Sequence, residues 1–219
     1  MLNKFYLIFV CAFLFAACTG EQAEKDNAMN TVSGNTGELL EPSDYVGWVQ
    51  NSENGLKMNK VIDDIQFSLQ YKPYEYIVCM EERKPSIQDS LLKRKFNELS
   101  GMQYFDLTIS LVDGAGELLK YRLNSGQQYS ERVNYFSFAM QKDIVLVDGK
   151  DTIPCELYHF ERAYDVMPSG TFLLGFGKKN ETLSSSKTLV LYDRVFGKGT
   201  IKLTIDKERI KNTPKLKTI

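Results

Sequence analysis

Apolar and polar side chains alternate where Ile65, Phe67, Leu69 and Tyr71 interleave with Gln66, Ser68 and Gln70, the period-two pattern of a half-buried strand. Pro73 lacks the amide hydrogen that a central ladder needs, so the strand bends or lies at a sheet edge before resuming over Tyr74 to Met80. Past Pro85 the period lengthens. Ile87, Leu91, Leu92, Phe96 and Leu99 share one helical face, Ser86 supplies a cap, and Asp89 and Lys93 pair at i,i+4. Gly101 is placed to close this helix in a left-handed conformation. Upstream, Pro42-Ser43 followed by Tyr45, Trp48 and Val49 at helical spacing predicts a short entry helix, ended by the polar run Asn51 to Gly55.

Beyond Gly101 the pattern becomes β. Phe105, Leu107, Ile109 and Leu111 alternate with Asp106, Thr108 and Ser110 up to a turn at Asp113-Gly114. Further runs cover Tyr135 to Met140, Asp143 to Val147, Thr152 to Phe160, Thr171 to Phe176, Thr188 to Tyr192 and Thr200 to Ile205. Asp148-Gly149-Lys150 and Gly197-Lys198-Gly199 join neighbouring runs as hairpins. So many short strands predict a mainly β (α+β) fold, an antiparallel β-sandwich or open barrel with one packed helix. The basic stretch Lys207 to Lys217, interrupted by Pro214, reads as a solvated tail.

The N-terminus follows another logic. One charge at Lys4 precedes the apolar run Phe5 to Phe15, then Ala16-Ala17 and Cys18, the proportions of a secretory signal too short to remain as a membrane span. The sequence Leu14-Phe15-Ala16-Ala17-Cys18 resembles the processing site of bacterial lipoproteins. It departs from that family's preference for Leu three positions before the cysteine, where Phe15 stands. The resemblance implies removal of residues 1–17 and lipidation of Cys18 as the new N-terminus, with attachment to the membrane. Thr19, where an aspartate would resemble an inner-membrane retention signal, implies the cell outer membrane, on its periplasmic face or at the cell surface. Glu21, Glu24 and Asp26 are similar to an acidic surface-export signal, though Lys25 interrupts them. Residues 18–42 are polar and aperiodic and read as a flexible tether, leaving 43–219 as a single β-rich domain.

Charge is balanced, 27 basic against 28 acidic residues, which leaves no strong field to attract nucleic acid. The processing that the resemblance implies would remove Cys11 and acylate Cys18. The two remaining thiols, Cys79 and Cys155, are candidates for a disulfide in an oxidising compartment, or for two buried small hydrophobes. On a strand, Cys155, Leu157, His159 and Glu161 would share a face, a constellation that superficially suggests a thiol enzyme. Four residues along a strand separate Cys155 from His159 by roughly 13 Å, outside hydrogen-bond reach. His159 is the only histidine, so no histidine-rich metal site exists, and no cofactor motif is expected: Gly175-Phe176-Gly177 and Gly197-Lys198-Gly199 read as turns rather than phosphate cradles.

Aromatic density gives the remaining functional signal. Tyr71, Tyr74 and Tyr76 flank Pro73 on the expected edge strand, and with Trp48 they are candidates for an exposed platform that contacts a protein or glycan; Arg132, Tyr135, Arg162 and Tyr164 would extend it through cation–π contacts. The sequence therefore predicts a lipid-anchored, non-catalytic binding or scaffold module of the envelope. The alternatives are a surface glycan binder and an envelope hydrolase or thiol enzyme.

Overall fold

The computed structural model describes residues 38–114, 116–161, 168–178 and 185–219. The expected signal segment, Cys18, the expected tether up to residue 37, and Arg162 and Tyr164 lie outside the described residues.

The chain enters through β1 (Leu39–Leu40) and α1 (Pro42–Gln50). Pro42 occupies the first turn of α1, where its missing donor costs nothing, and Tyr45, Trp48 and Val49 form the buried face as expected. A hairpin of β2 (Lys57–Ile62) and β3 (Ile65–Lys72) follows, then α2 (Tyr74–Glu82), α3 (Asp89–Leu99) and β4 (Met102–Leu111). The second half runs through α4 (Gly126–Asn134), β5 (Ile144–Asp148), β6 (Asp151–Glu161), β7 (Ser169–Gly177), β8 (Lys187–Tyr192) and β9 (Thr200–Ile205). It closes with α5 (Lys207–Lys211) and β10 (Lys215–Leu216).

Strands β2 to β9 form one antiparallel sheet in the order β2-β3-β4-β7-β6-β5-β8-β9. The sheet curls until β9 lies against β2 and β3, giving a nearly closed barrel. Its filling follows from alternation: Phe67, Leu69, Phe105, Leu107, Phe172, Leu174, Leu189 and Leu203 are all buried, on side chains that point inward from successive strands. The mainly β, open-barrel reading is the observed architecture, with five α-helices among the described residues rather than one packed helix.

Registers fix two ends. At one lie Lys72, Met102, Gly177, Asp148, Lys187 and Ile205; at the other lie Ile65, Leu111, Ser169, Glu161, Ile144 and Thr200. The first end receives α1, α2, α3 and α5, since these flank β2, β3, β4 and β9 there. The second receives the β4–β5 connection, including α4.

Several expectations need correction. Tyr74 to Met80 is helix, not strand: Pro73 sits at the N-cap of α2 with φ of −54°, a conformation suited to helix entry, and Tyr76 and Cys79, three apart, are buried together, so packing overrides the β propensity of the composition. Tyr135 to Met140 is a π-helical turn running into a 3-10 turn, with Phe136 and Met140, four apart, buried while Phe138 is 73% exposed. Helix α3 starts at Asp89 behind the cap residue Gln88, and its C-cap is Ser100 at φ of −64°; Gly101 takes no positive φ. Gly175 and Gly177 lie within β7 and not in a turn.

The C-terminus is no solvated tail. Ile210 and Leu216 are buried, β10 pairs in parallel with β1, and Ile87 bridges Thr218. The packed body accordingly begins before residue 43, with Leu40 in its core.

Candidate functional site

Four stretches of the chain, 71–75, 96–104, 178 and 210–215, meet at the α2 end to line a cleft of about 330 Å3. Tyr71 and Lys72 come from the end of β3, Tyr74 and Glu75 from the first turn of α2, Phe96 and Leu99 from the last turns of α3. Met102 to Tyr104 open β4, Lys178 follows β7, and Lys211 and Lys215 come from α5 and β10. The volume lies at the lower end of small-molecule sites, ~300–1,000 Å3.

The walls are aromatic and held in place. Tyr74 meets Phe96 edge to face, ring centroids 5.0 Å apart at 64°, and Tyr71 leans on Phe105 at 5.3 Å. Burial raises the Tyr71 hydroxyl to about 12, with the charges of Glu75 and Asp148 adding to the effect. Burial also lifts the Glu75 carboxyl above its ordinary range, against hydrogen bonds from its own backbone and from Tyr74. No lysine or arginine pairs with Glu75 among the described residues. The rim is cationic: Lys178, Lys211 and Lys215 are exposed and form no ion pair among the described residues, whereas Lys72 is neutralised by Asp106 at 3.0 Å.

Behind the cleft, the barrel interior is polar for one layer. Gln103, which lines the cleft, donates to Asp148 at 3.0 Å, Lys187 pairs with Asp148 at 2.5 Å, and the Ser185 hydroxyl donates to the same carboxylate. Burial alone would raise the Asp148 carboxyl, but these donors outweigh it and hold it below its ordinary value. Below this layer Phe105 and Phe176 close the space, ring centroids 5.8 Å apart.

The aromatic platform is half present. Tyr71 and Tyr74 line the cleft, but Trp48 and Tyr76 are each only 6% exposed. Both belong to the core, and the Tyr76 hydroxyl accepts a hydrogen bond from Gln50 at 3.0 Å. Of the cation–π candidates, Arg132 stacks on Phe196, 5.5 Å from its centroid, at the opposite end.

Cys79 and Cys155 are both free and buried, so the possible disulfide is absent. Burial raises Cys79 to about 11 and Cys155 to about 12, which keeps both as thiols at neutral pH. The shared face of Cys155 and His159 also fails. A β-bulge between Cys155 and Leu157 shifts the register against β7, so Cys155 points inward, Tyr158 and Phe160 take the next inward positions, and His159 is exposed. Gly175 permits the shift: a Cβ there would meet the Leu157 Cβ at 2.9 Å. His159 instead borders a shallow groove with Phe138. No group of three or more His, Cys, Asp or Glu side chains placed to hold a metal occurs among the described residues.

Glu75, Tyr104, Lys178, Lys211 and Lys215 join the site only in the folded chain. The run Tyr71-Lys72-Pro73-Tyr74-Glu75-Tyr76 carried a signal for the first of these, and the basic C-terminal stretch for the last two. Comparison of the chain with protein families, with curated proteins and with solved structures found no match. The functional reading therefore rests on the site itself.

Proposed function

We propose that the protein is an outer-membrane lipoprotein, anchored through a lipidated Cys18, whose barrel is a non-catalytic binding module for another component of the cell envelope. The observation that carries this reading is the cleft at the α2 end, where two packed tyrosines, a half-buried carboxyl and three lysines without ion pairs among the described residues converge on a concave site. Such a combination suits recognition: apolar faces supply contact area, and a few polar groups fix orientation. Against the thiol-enzyme alternative, strand spacing holds Cys155 and His159 out of hydrogen-bond reach, and the bulge turns them to different faces. Anchoring gives the mechanism, because a tether confines the domain beside membrane partners and raises its effective concentration there.

Replacing Cys18 with Ala tests the anchor. The full-length variant is expected in the soluble fraction of lysed cells with an unchanged melting transition; persistence of the variant in washed membranes would refute it.

A further inference from the structure

We infer that the cleft at the α2 end binds an acidic sugar, a glycan unit carrying carboxylate or sulfate groups; this deepens the binding reading above and rests on it.

Three features of the cleft each select one part of such a ligand. Tyr74 and Tyr104 offer aromatic faces beside Met102 and Phe96, surfaces that pack against the apolar C–H face of a sugar ring. Tyr74 is fixed for this by its edge contact with Phe96, so little side-chain freedom is lost on binding. Glu75 is a half-buried acceptor with no cation beside it among the described residues, and its raised carboxyl marks a group short of solvation. A carboxylate accepts up to about four hydrogen bonds, so ligand hydroxyls add donors to those of Tyr74 and the Glu75 backbone. Lys178, Lys211 and Lys215 have no acidic partners among the described residues, and they project at the rim where an anion completes their charge. A hydroxyl-rich ring with an acidic substituent satisfies all three; a neutral sugar leaves the lysines unused.

Other anions fit less well. A lipid acyl chain needs a channel, and the space behind the cleft is closed by the Gln103–Asp148–Lys187 network and by Phe105 against Phe176. An acidic peptide would bring its carboxylates against Glu75 without the hydroxyl donors.

Titration calorimetry on the detergent-solubilised full chain tests this with a trigalacturonate, a sulfated trisaccharide, a neutral trigalactoside, a polyglutamate peptide and phosphatidylglycerol vesicles. At least one acidic trisaccharide is expected to bind ten or more times tighter than the neutral one, and the better of the two separates carboxylate from sulfate as the natural group. The triple variant K178Q/K211Q/K215Q, all at exposed positions, should lose roughly tenfold in affinity, the combined weight of three exposed charge contacts. Tyr74→Ala should lose affinity for the same probe, and Phe138→Ala at the distant groove should lose none. Equal or tighter binding of polyglutamate or vesicles, no binding of either acidic sugar, or full affinity in the lysine variant would overturn the assignment. Loss of the sugar result with Cys18→Ala still released from membranes removes only the ligand class, whereas a membrane-bound Cys18→Ala removes the parent reading.

Discussion

The two ends of the barrel solve the same problem in opposite ways. At the α4 end Phe136 is inserted like a stopper, its ring within 5.3 to 6.1 Å of Tyr135, Phe160, Phe172 and Phe196, and its carbonyl accepts from the Tyr158 hydroxyl. Outside this plug the loops are locked. Arg132 donates to the Tyr121 carbonyl at 2.6 Å, the Asp193 carboxylate accepts from the amides of Val195, Phe196 and Lys198, and Lys198 bridges Asp63 and Asp64. At the α2 end the inward layer is Tyr71, Gln103, Asp148 and Lys187, and helices surround a cleft instead of filling it. One end spends its aromatic side chains on cohesion, and the other leaves them facing a cavity. Binding sites are expected at ends of the second kind, where concavity and unmet polar groups coincide.

That contrast predicts unequal responses to substitution. Phe136→Ala removes the centre of the plug, and its ring is 1% exposed, so unfolding in urea should show a loss of about 3–5 kcal/mol; a loss below about 1 kcal/mol would break the claim that this end is the cohesive one. Glu75→Gln should act in the other direction and by less. Because burial raises the Glu75 carboxyl in the folded chain, folding disfavours its ionised form, and the charge costs stability at neutral pH. The neutral amide escapes that cost, so the variant should be more stable than the parent at pH 7. The gain should disappear below about pH 4, where the carboxyl is protonated in both folded and unfolded chains. Equal stabilities at pH 7 would mean that the cleft imposes no desolvation on Glu75.

Much of the barrel was legible because its strands are buried on one face and wetter on the other. β4 alternates without a break over ten residues, and the Asp148-Gly149-Lys150 hairpin is present with Gly149 at φ of 63°. The Asp89–Lys93 pair closes at 2.6 Å. Reading failed where tertiary packing decided the outcome. Tyr74 to Met80 has a strand former's composition but a helix's burial, and Phe136 to Met140 hides a period of four inside an aromatic run. The bulge in β6 inverted the face of every residue beyond it, and its enabling feature, Gly175, stands on a neighbouring strand. The cleft was only partly visible for a related reason: Tyr71 and Tyr74 are local to one run, but Tyr104, Lys178 and Lys215 join them only through the fold. The C-terminal lysines looked solvated because their charge is exposed, while the apolar residues between them, Ile210 and Leu216, anchor the segment in the core.

Site-specific photocrosslinking in intact cells tests most directly whether the open end is the binding end. A photoreactive side chain at position 211 beside the cleft, and another at position 122 on the exposed loop of the plugged end, should behave differently: position 211 is expected to capture a discrete neighbour and position 122 none. Capture from position 122 alone, with nothing from position 211, would contradict the account.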